Sequence, residues 1–432
     1  MNIHLRALGC RLNEAELESW ALEFRTAGHT LVNDAGDADV TVVNTCAVTR
    51  EAVRKSRKLI NRLRRESPYG KLVVSGCAVS TGEAGNASDL GIDLLIDNSK
   101  KKELVKTVTD TLPVSIMPEG ATLPAESALF ARNRQRAFIK IQDGCRYRCT
   151  YCIVTMARGE EQSRALNDII DEINQLHQQG VQEIVLTGVH VGGYGSDIQS
   201  NLTTLVEQIL QSTDIPRVRF ASVEPWDLGD TFFTLFENPR LMPHMHLPLQ
   251  SGSDAVLRRM ARRCKTSEFA SLVQQARSSV PGFNVTTDII AGFPGESDKH
   301  WRETMDFVEA TGFGHIHVFS FSAREGTKAA GMQDAVAEQI KKQRSAELRE
   351  LAGRLRHDFI NRQLDSVATV LWEGRPTRAE NLQTEDALVF GYTENYTRVC
   401  TGSKNAPDAG GVAGCKLVQV GPAGRYAMAE MI

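Results

Sequence analysis

The sequence predicts an α/β protein in three parts: an N-terminal Rossmann-like parallel sheet, a central partial (β/α)6 barrel and a small C-terminal antiparallel β-barrel. Three observations lead there. Through residues 1–112, short β-branched runs alternate with helical patterns, as in a parallel sheet covered on both faces. Between residues 137 and 361, six strand candidates follow one another, mostly separated by helices. From residue 364 onward, only turn residues separate short β runs. A chain of 432 residues has room for about three domains.

Composition narrows the class. Hydrophobic residues make up 41% and charged residues 24%, a globular mix that excludes a mostly disordered or collagen-like chain. No run of 18 apolar residues occurs, so no spanning helix and no membrane association are expected. The start, MNIHLRALGC, lacks a basic segment followed by an apolar core, so a cytoplasmic location without a signal peptide is expected. Lys and Arg number 50 against 53 Asp and Glu, so nucleic-acid binding needs a local patch. Nine cysteines in such a chain suit a metal or catalysis better than a disulfide framework.

The first strand, Ile3 to Leu8, ends at Gly9-Cys10. A helix follows, with Asn13 as its expected cap and Glu16 three residues on, as in a capping box. Leu17, Trp20, Ala21, Phe24 and Ala27 recur at helical spacing, and Gly28 closes the helix. Val40 to Asn44 ends at Thr45-Cys46, and Leu72 to Ser75 ends at Gly76-Cys77. In a parallel sheet these strand ends share one edge, where open α/β sheets bind ligands. Three cysteines at equivalent positions therefore point to one shared metal site, iron–sulfur or zinc.

Residues 113–136 read as a linker, with Pro113, Pro118, Gly120 and Pro124 and a basic stretch ending at Arg136. The barrel strands are Phe138–Gln142, Glu183–Thr187, Arg217–Val223, His244–Leu249, Asn284–Ile290 and His315–Phe321. Ile169, Ile170, Ile173 and Leu176 line one clear intervening helix, closed by Gly180. The unusual residues cluster after the strands, where function lies in such barrels. A helical stretch over 335–361 leads to the last segment, 364–432, with β runs at Val367–Trp372, Ala387–Tyr392, Tyr396–Cys400 and Cys415–Val420.

After the first barrel strand, GCRYRCTYC supplies Cys145, Cys149 and Cys152. Structural zinc wants four ligands, and no nearby His offers a fourth. A four-iron cluster is usually held by four thiolates; with three, one iron stays open to another ligand. That is what a radical S-adenosylmethionine (SAM) enzyme needs. The amino and carboxylate groups of SAM chelate the open iron, an electron cleaves the sulfonium, and the adenosyl radical takes hydrogen from an unreactive C–H bond. Two roles are open to Tyr151 inside the triplet: packing on the adenine, or an ordinary core aromatic.

With these motifs in place, the chain resembles the radical SAM methylthiotransferase family over nearly its whole length. GCRLN, NTCAVT and SGC place Cys10, Cys46 and Cys77 as that family's auxiliary-cluster cysteines. GCRYRCTYC, LQSGSD and GFPGE match as well, and GYTENYTRV at Gly391 to Val399 makes the last domain resemble a TRAM domain. The resemblance implies two 4Fe-4S clusters and SAM as cofactors, with an electron donor such as a flavodoxin or ferredoxin and a sulfur donor as partners. VLTGVHVGGYG, NTCAVT and HVFSFSAREGTKAA look most like the MtaB branch, which adds a methylthio group at C2 of N6-threonylcarbamoyladenosine at tRNA position 37. Other branches act on isopentenyladenosine in tRNA or on a ribosomal-protein aspartate. Thr155-Met156 departs from the family's usual Pro-Tyr, which puts any role of that Tyr in doubt but not the cluster.

Further site residues follow. Arg50, Arg54, Lys55, Arg57, Lys58, Arg62, Arg64 and Arg65, interrupted by Glu51 as the single acid, form a solvated helix face or a groove for the anticodon stem-loop; Arg57 and Lys58 are the candidate tRNA contacts. The threonylcarbamoyl carboxylate calls for a bidentate Arg, with Arg158 and Arg324 as candidates. Arg164 is the candidate for the SAM carboxylate, Glu224 and Gln250 for its amino or ribose groups, and Gly292 and Phe319 complete the cofactor set; a rim salt bridge is the other reading of the charged ones. Tyr396, with Tyr392, Asn395 and Arg398, is a base-stacking candidate, or else barrel core. Segment 364–432 has six Lys/Arg and eight Asp/Glu, so charge alone does not make it an RNA binder. His190 is a cofactor contact or a satisfied rim residue. The pairs His244/His246 and His315/His317 share strand faces and read as core or rim before metal. Cys264, Cys400 and Cys415 read as structural. The non-enzyme alternative is an RNA-binding protein with structural clusters.

Overall fold

The computed structural model describes residues 1–112, 135–229, 231–374 and 387–432. The linker expected at 113–136 lies outside the described residues except for its last two, and Arg136 already opens a strand.

The N-terminal sheet is fully parallel, in the order β2 (Thr30–Leu31), β1 (Asn2–Ala7), β3 (Val40–Thr45), β4 (Lys71–Gly76), β5 (Leu94–Ile96). The register sets Ile3 beside Val40 and Val42 beside Val73. Helix α1 (Arg11–Thr26) lays Leu17, Trp20, Ala21 and Phe24 on one face with Ile3, Val42 and Ile96. Helix α2 (Arg50–Glu66) lays Ile60 and Leu63 on the other with Val43 and Val74. Thr49 caps α2, its hydroxyl accepting from Ala52 N at 3.1 Å. The very short β2 and β5 give little sequence signal and were not expected.

The expected cap of α1 is corrected. Cys10 holds the N-cap position, and Asn13 lies inside the helix, buried. Its amide donates to Leu8 O (2.7 Å) and Thr45 O (3.1 Å), while Glu16 enters a buried ion network. Tertiary partners outbid the local capping box.

The middle segment holds six parallel strands in ring order: β6 (Arg136–Lys140), β9 (Glu183–Thr187), β10 (Arg217–Phe220), β11 (His244–His246), β12 (Asn284–Ala291) and β13 (His315–Ser320). Bridges Val218–Leu241 and Ser222–His246 join the two halves. A two-strand ribbon, β7 (Gln142–Asp143) with β8 (Gln162–Ser163), brackets the Cys145–Cys152 triplet. No pairing of β6 with β13 is found among the described residues, so the barrel is open there; Ala15 of α1 packs on Phe138 and Val185 beside that edge.

The C-terminal segment is a closed barrel, ordered β14 (Val367–Trp372), β15 (Leu388–Tyr392), β16 (Arg398–Gly402), β18 (Ala427–Met431), β17 (Val412–Val420). It is antiparallel apart from the parallel pair β16–β18, and Val370, Trp372, Val399 and Leu417 fill it. Cys400 and Cys415 are buried in it, in keeping with a structural role. Among the described residues no helix is long and apolar enough to cross a membrane.

Candidate functional site

Cys10, Cys46 and Cys77 follow β1, β3 and β4, which are adjacent in the sheet, so parallel pairing brings them to one edge. Their closeness shows at Gly9. With φ +117°, a Cβ there would stand 2.6 Å from Cys46 Cβ and 2.9 Å from its Sγ, so only glycine fits. Burial, with Cys10 and Cys77 adding repulsion, pushes the Cys46 thiol up to about 11. Asn98 Nδ2 lies 3.6 Å from Cys77 Sγ.

The second triad is held as tightly. The Gln142 amide donates to Gly144 O (2.7 Å) and its oxygen accepts from His190 N (2.8 Å). Gly144 has φ +70° and no room for a Cβ against Glu160 O. Burial, then repulsion from the other thiols, pushes Cys152 up to about 12; burial pushes Cys145 up to about 11. Thiols held up in this way, as at Cys46, Cys145 and Cys152, become thiolates when a metal compensates the charge. Both triads fit an iron–sulfur cluster with one iron left open. Against the expectation from sequence, a His does lie near: ligand atoms of His190 and Glu161 come within 4.8 Å of Cys145 Sγ, but His190 is already held between Glu161 and Asp227.

Beside the triplet stands Glu224, close to all three thiols, and Tyr151 lies within it. Glu224 is ion-paired with Arg262 at 2.8 Å, and Arg262 also lies over the Trp226 ring and beside Cys149. Sequence reasoning missed Arg262, which has no motif around it. Gln250 has φ +78° and a buried Oε1 without a hydrogen-bond partner among the described residues, a polar atom that a bound cofactor would satisfy. Tyr151 packs with Val256, Met260 and Phe293, and so behaves as a core aromatic on that side. Gly292 (φ +77°) has its N–H on Glu296 at 2.7 Å and its α-carbon face against Lys341.

Two cavities flank the auxiliary cysteines. A chamber of about 820 Å³ runs from Cys10 along the barrel interior to Tyr392, Arg398 and Arg425. A cleft of about 940 Å³ reaches Cys46 between Arg50 and Lys55 of α2 and the end of β13. Phe319, 42% exposed, stands on the wall of both, and lies in neither triad. In the chamber, His246 Nε2 meets Asp288 at 3.1 Å with His317 beside them.

Several predicted site residues are elsewhere engaged. Arg158 is buried and binds Glu16 (2.9 Å), Asp143 (3.0 Å) and Asn13 (2.8 Å), so it is not free for a substrate carboxylate. Arg324 is buried in an ion pair with Glu83. Arg164, the candidate for the SAM carboxylate, is already committed: it donates to Glu172 (2.6 Å) and Lys140 O (2.8 Å). Tyr396 is stacked on both faces, by His244 (4.7 Å) and Tyr392 (4.6 Å), leaving no face for a base. Arg158 and Arg324 were read from their places near strand or motif ends, and the carboxylates that hold them, Glu16 and Glu83, lie far away in sequence; Arg164 is held by Glu172, eight residues on. Arg57 and Lys58 are exposed on α2 but do not line the cleft, and Arg57 Nε is held by Glu83 O at 3.2 Å. His190 is a satisfied rim residue, between Glu161 and Asp227.

Comparison with known proteins places the chain in a family. Residues 139–308 match the Radical SAM superfamily, and residues 2–96 match the Uncharacterized protein family UPF0004. The chain is 37% identical over 403 residues to threonylcarbamoyladenosine tRNA methylthiotransferase MtaB of Thermotoga maritima, covering 92% of this chain and 90% of that one. It is 33% identical to the Bacillus subtilis protein of the same name, covering 92% and 89%. The tRNA-2-methylthio-N(6)-dimethylallyladenosine synthase of Staphylococcus haemolyticus is 32% identical, over 90% of this chain and 77% of the other. Among solved structures, the radical SAM methyltransferase TsrM from Kitasatospora setae shares the fold, with a TM-score of 0.57 at 16% identity over 76% of this chain and 77% of that one. SAM and 4Fe-4S clusters are the cofactors that go with these matches. An enzyme with two separate cysteine triads, similar along nearly its full length to MtaB, belongs to the radical SAM methylthiotransferase family.

Proposed function

We propose that the enzyme inserts a methylthio group at C2 of N6-threonylcarbamoyladenosine at position 37 of tRNA. The observation that carries this reading is the chamber, which joins Cys10 at one end to the guanidinium groups of Arg398 and Arg425, free of ion pairs among the described residues, at the other. When bound at Cys145, Cys149 and Cys152, a four-iron cluster and SAM supply the one-electron chemistry that no side chain offers. The chain's own task is to bring one base to the two triads and keep water out. Arg398 lies over Phe390, and neither it nor Arg425 makes an ion pair among the described residues. They replace Arg158 and Arg324 as partners for the threonylcarbamoyl carboxylate. An electron donor and a sulfur donor are further partners of this reaction, and a tRNA substrate places the enzyme in the cytoplasm.

Mass spectrometry of tRNA nucleosides and ribosomal proteins from a deletion strain tests the substrate. Loss of the 2-methylthio group from threonylcarbamoyladenosine is the expected result. Loss from isopentenyladenosine, or from a ribosomal-protein aspartate, overturns it.

The RNA path is tested separately. Arg50 and Lys55 line the cleft to Cys46 on the exposed face of α2. Reversing both charges to Glu weakens tRNA binding and lowers the slope of log affinity against log salt by about 1 per lost phosphate contact. The Arg57→Glu, Lys58→Glu pair has the smaller effect. Equal effects for the two pairs would move the RNA out of the cleft.

A further inference from the structure

We propose that Arg158 is a positioning residue that fixes the auxiliary cysteines against the SAM-binding triplet, an inference that rests on the methylthiotransferase reading. The local chain makes this feasible. A five-residue helix, Val154–Arg158, starts just after Cys152, whose Sγ accepts from Val154 N at 3.4 Å. Its end is turned back by Gly159 (φ +76°), whose carbonyl accepts from Cys145 N at 3.1 Å. The Arg158 backbone is thus tied to the triplet at both ends.

The other side of the joint is the N-terminal sheet. Arg158 Nη2 donates to Asn13 Oδ1 at 2.8 Å, and Cys10 Sγ lies 3.8 Å from that same oxygen. The Asn13 amide holds Leu8 O and Thr45 O, the carbonyls just ahead of Gly9-Cys10 and of Cys46. One residue before Arg158, Ala157 O accepts from Asn98 Nδ2 at 2.6 Å, the amide that also approaches Cys77 Sγ. Cys10, Cys46 and Cys77 are therefore each linked, through Asn13 or Asn98, to the Ala157–Arg158 segment.

Charge fits the same role. Glu16 binds Arg158, Lys101 (2.5 Å) and Lys140 (3.1 Å), and Asp143 binds Arg158 and Lys140. Three cations against two carboxylates leave one positive charge buried beside thiolates. Such a network contributes little net stability but selects one geometry over others. Sulfur transfer to a carbon activated at the other triad needs that fixed geometry, since a misplacement of about 1 Å can cost on the order of 10²-fold in rate.

The test compares wild type, Arg158→Gln and Arg158→Lys as holoenzymes matched in iron and sulfide content. In Arg158→Gln, 5′-deoxyadenosine formation is expected to persist while methylthio product falls by about 10²-fold. The cluster-to-cluster distance distribution from pulsed EPR broadens, and the auxiliary cluster's midpoint potential moves lower because a cation is gone. Arg158→Lys recovers the potential but not the narrow distribution. If Arg158→Gln does not load both clusters, Asn98→Ala, which cuts the bridge from Ala157 O to Cys77 and leaves Arg158 in place, must broaden the distribution. Unchanged distribution and unchanged coupling in the variant that loads would overturn the proposal. Wild type that makes 5′-deoxyadenosine but no methylthio product would sink the substrate reading instead, and the distance measurement would still decide the role of Arg158.

Discussion

Cys149→Ser abolishes SAM cleavage: 5′-deoxyadenosine falls to the level of protein-free controls. A hydroxyl is a hard, weakly acidic donor, whereas iron–sulfur clusters are built on soft thiolates. With three cysteines in the triplet, the motif holds no spare thiolate to take its place. Cys10, Cys46 and Cys77 sit on a different sheet, so the auxiliary site still loads and iron per chain drops by about half. Anaerobically reconstituted wild type shows a change in cluster spectrum on adding SAM, and the variant does not. Cleavage at the wild-type rate in Cys149→Ser would mean that the radical arises elsewhere.

The second large effect is on stability. Glu183 is fully buried at the start of β9 and pairs with Arg217 (2.9 Å), Arg219 (3.1 Å) and Arg136 (3.3 Å). Arg217 and Arg219 also donate to carbonyls of the C-terminal segment, Thr369 O at 3.3 Å and Glu394 O at 3.0 Å. Glu183 is thus the keystone between the two barrels. Glu183→Gln leaves three guanidinium groups around a neutral amide and is expected to cost about 3–5 kcal/mol, read as a lower urea midpoint under anaerobic conditions. Burial alone would raise the Glu183 pKa, but Arg219, Arg136 and Arg217 hold it well below the usual carboxylate range. A depressed carboxylate contributes stability above its unfolded pKa of about 4.3 and loses it only as pH falls below that. The midpoint difference between wild type and variant should therefore be constant from about pH 6 to 8. A difference that shrinks over that range would point to another titrating group.

Much of the fold was legible because the signals were local. Val40–Thr45 and residues 72–76 are buried on both faces, and their β-branched runs say so directly. The segments that escaped notice, Thr30–Leu31 and Leu94–Ile96, are short enough that only their neighbours in the sheet make them strands. Ala427–Met431 was missed because its Ala- and Met-rich sequence lacks β-branched residues; pairing with β16 and β17 holds it extended. Asn13 and Glu16 carried a local capping signature and lost it to partners 32 and 85 residues away, Thr45 and Lys101.

By itself, the sequence determined the chemistry. Ligand spacing is a property of a few consecutive residues, so Cys145, Cys149 and Cys152 announce a cluster site before any folding, whereas the close approach of Gly9 to Cys46 shows only in the fold. Tertiary structure alone decided which charges remain free. A guanidinium is available to a substrate only if no carboxylate reaches it first, whether distant in sequence, as Glu16 and Glu83 are, or eight residues on, as Glu172 is. Arg158, Arg324 and Arg164 are consumed by Glu16, Glu83 and Glu172, while Arg398 and Arg425 are left facing the chamber.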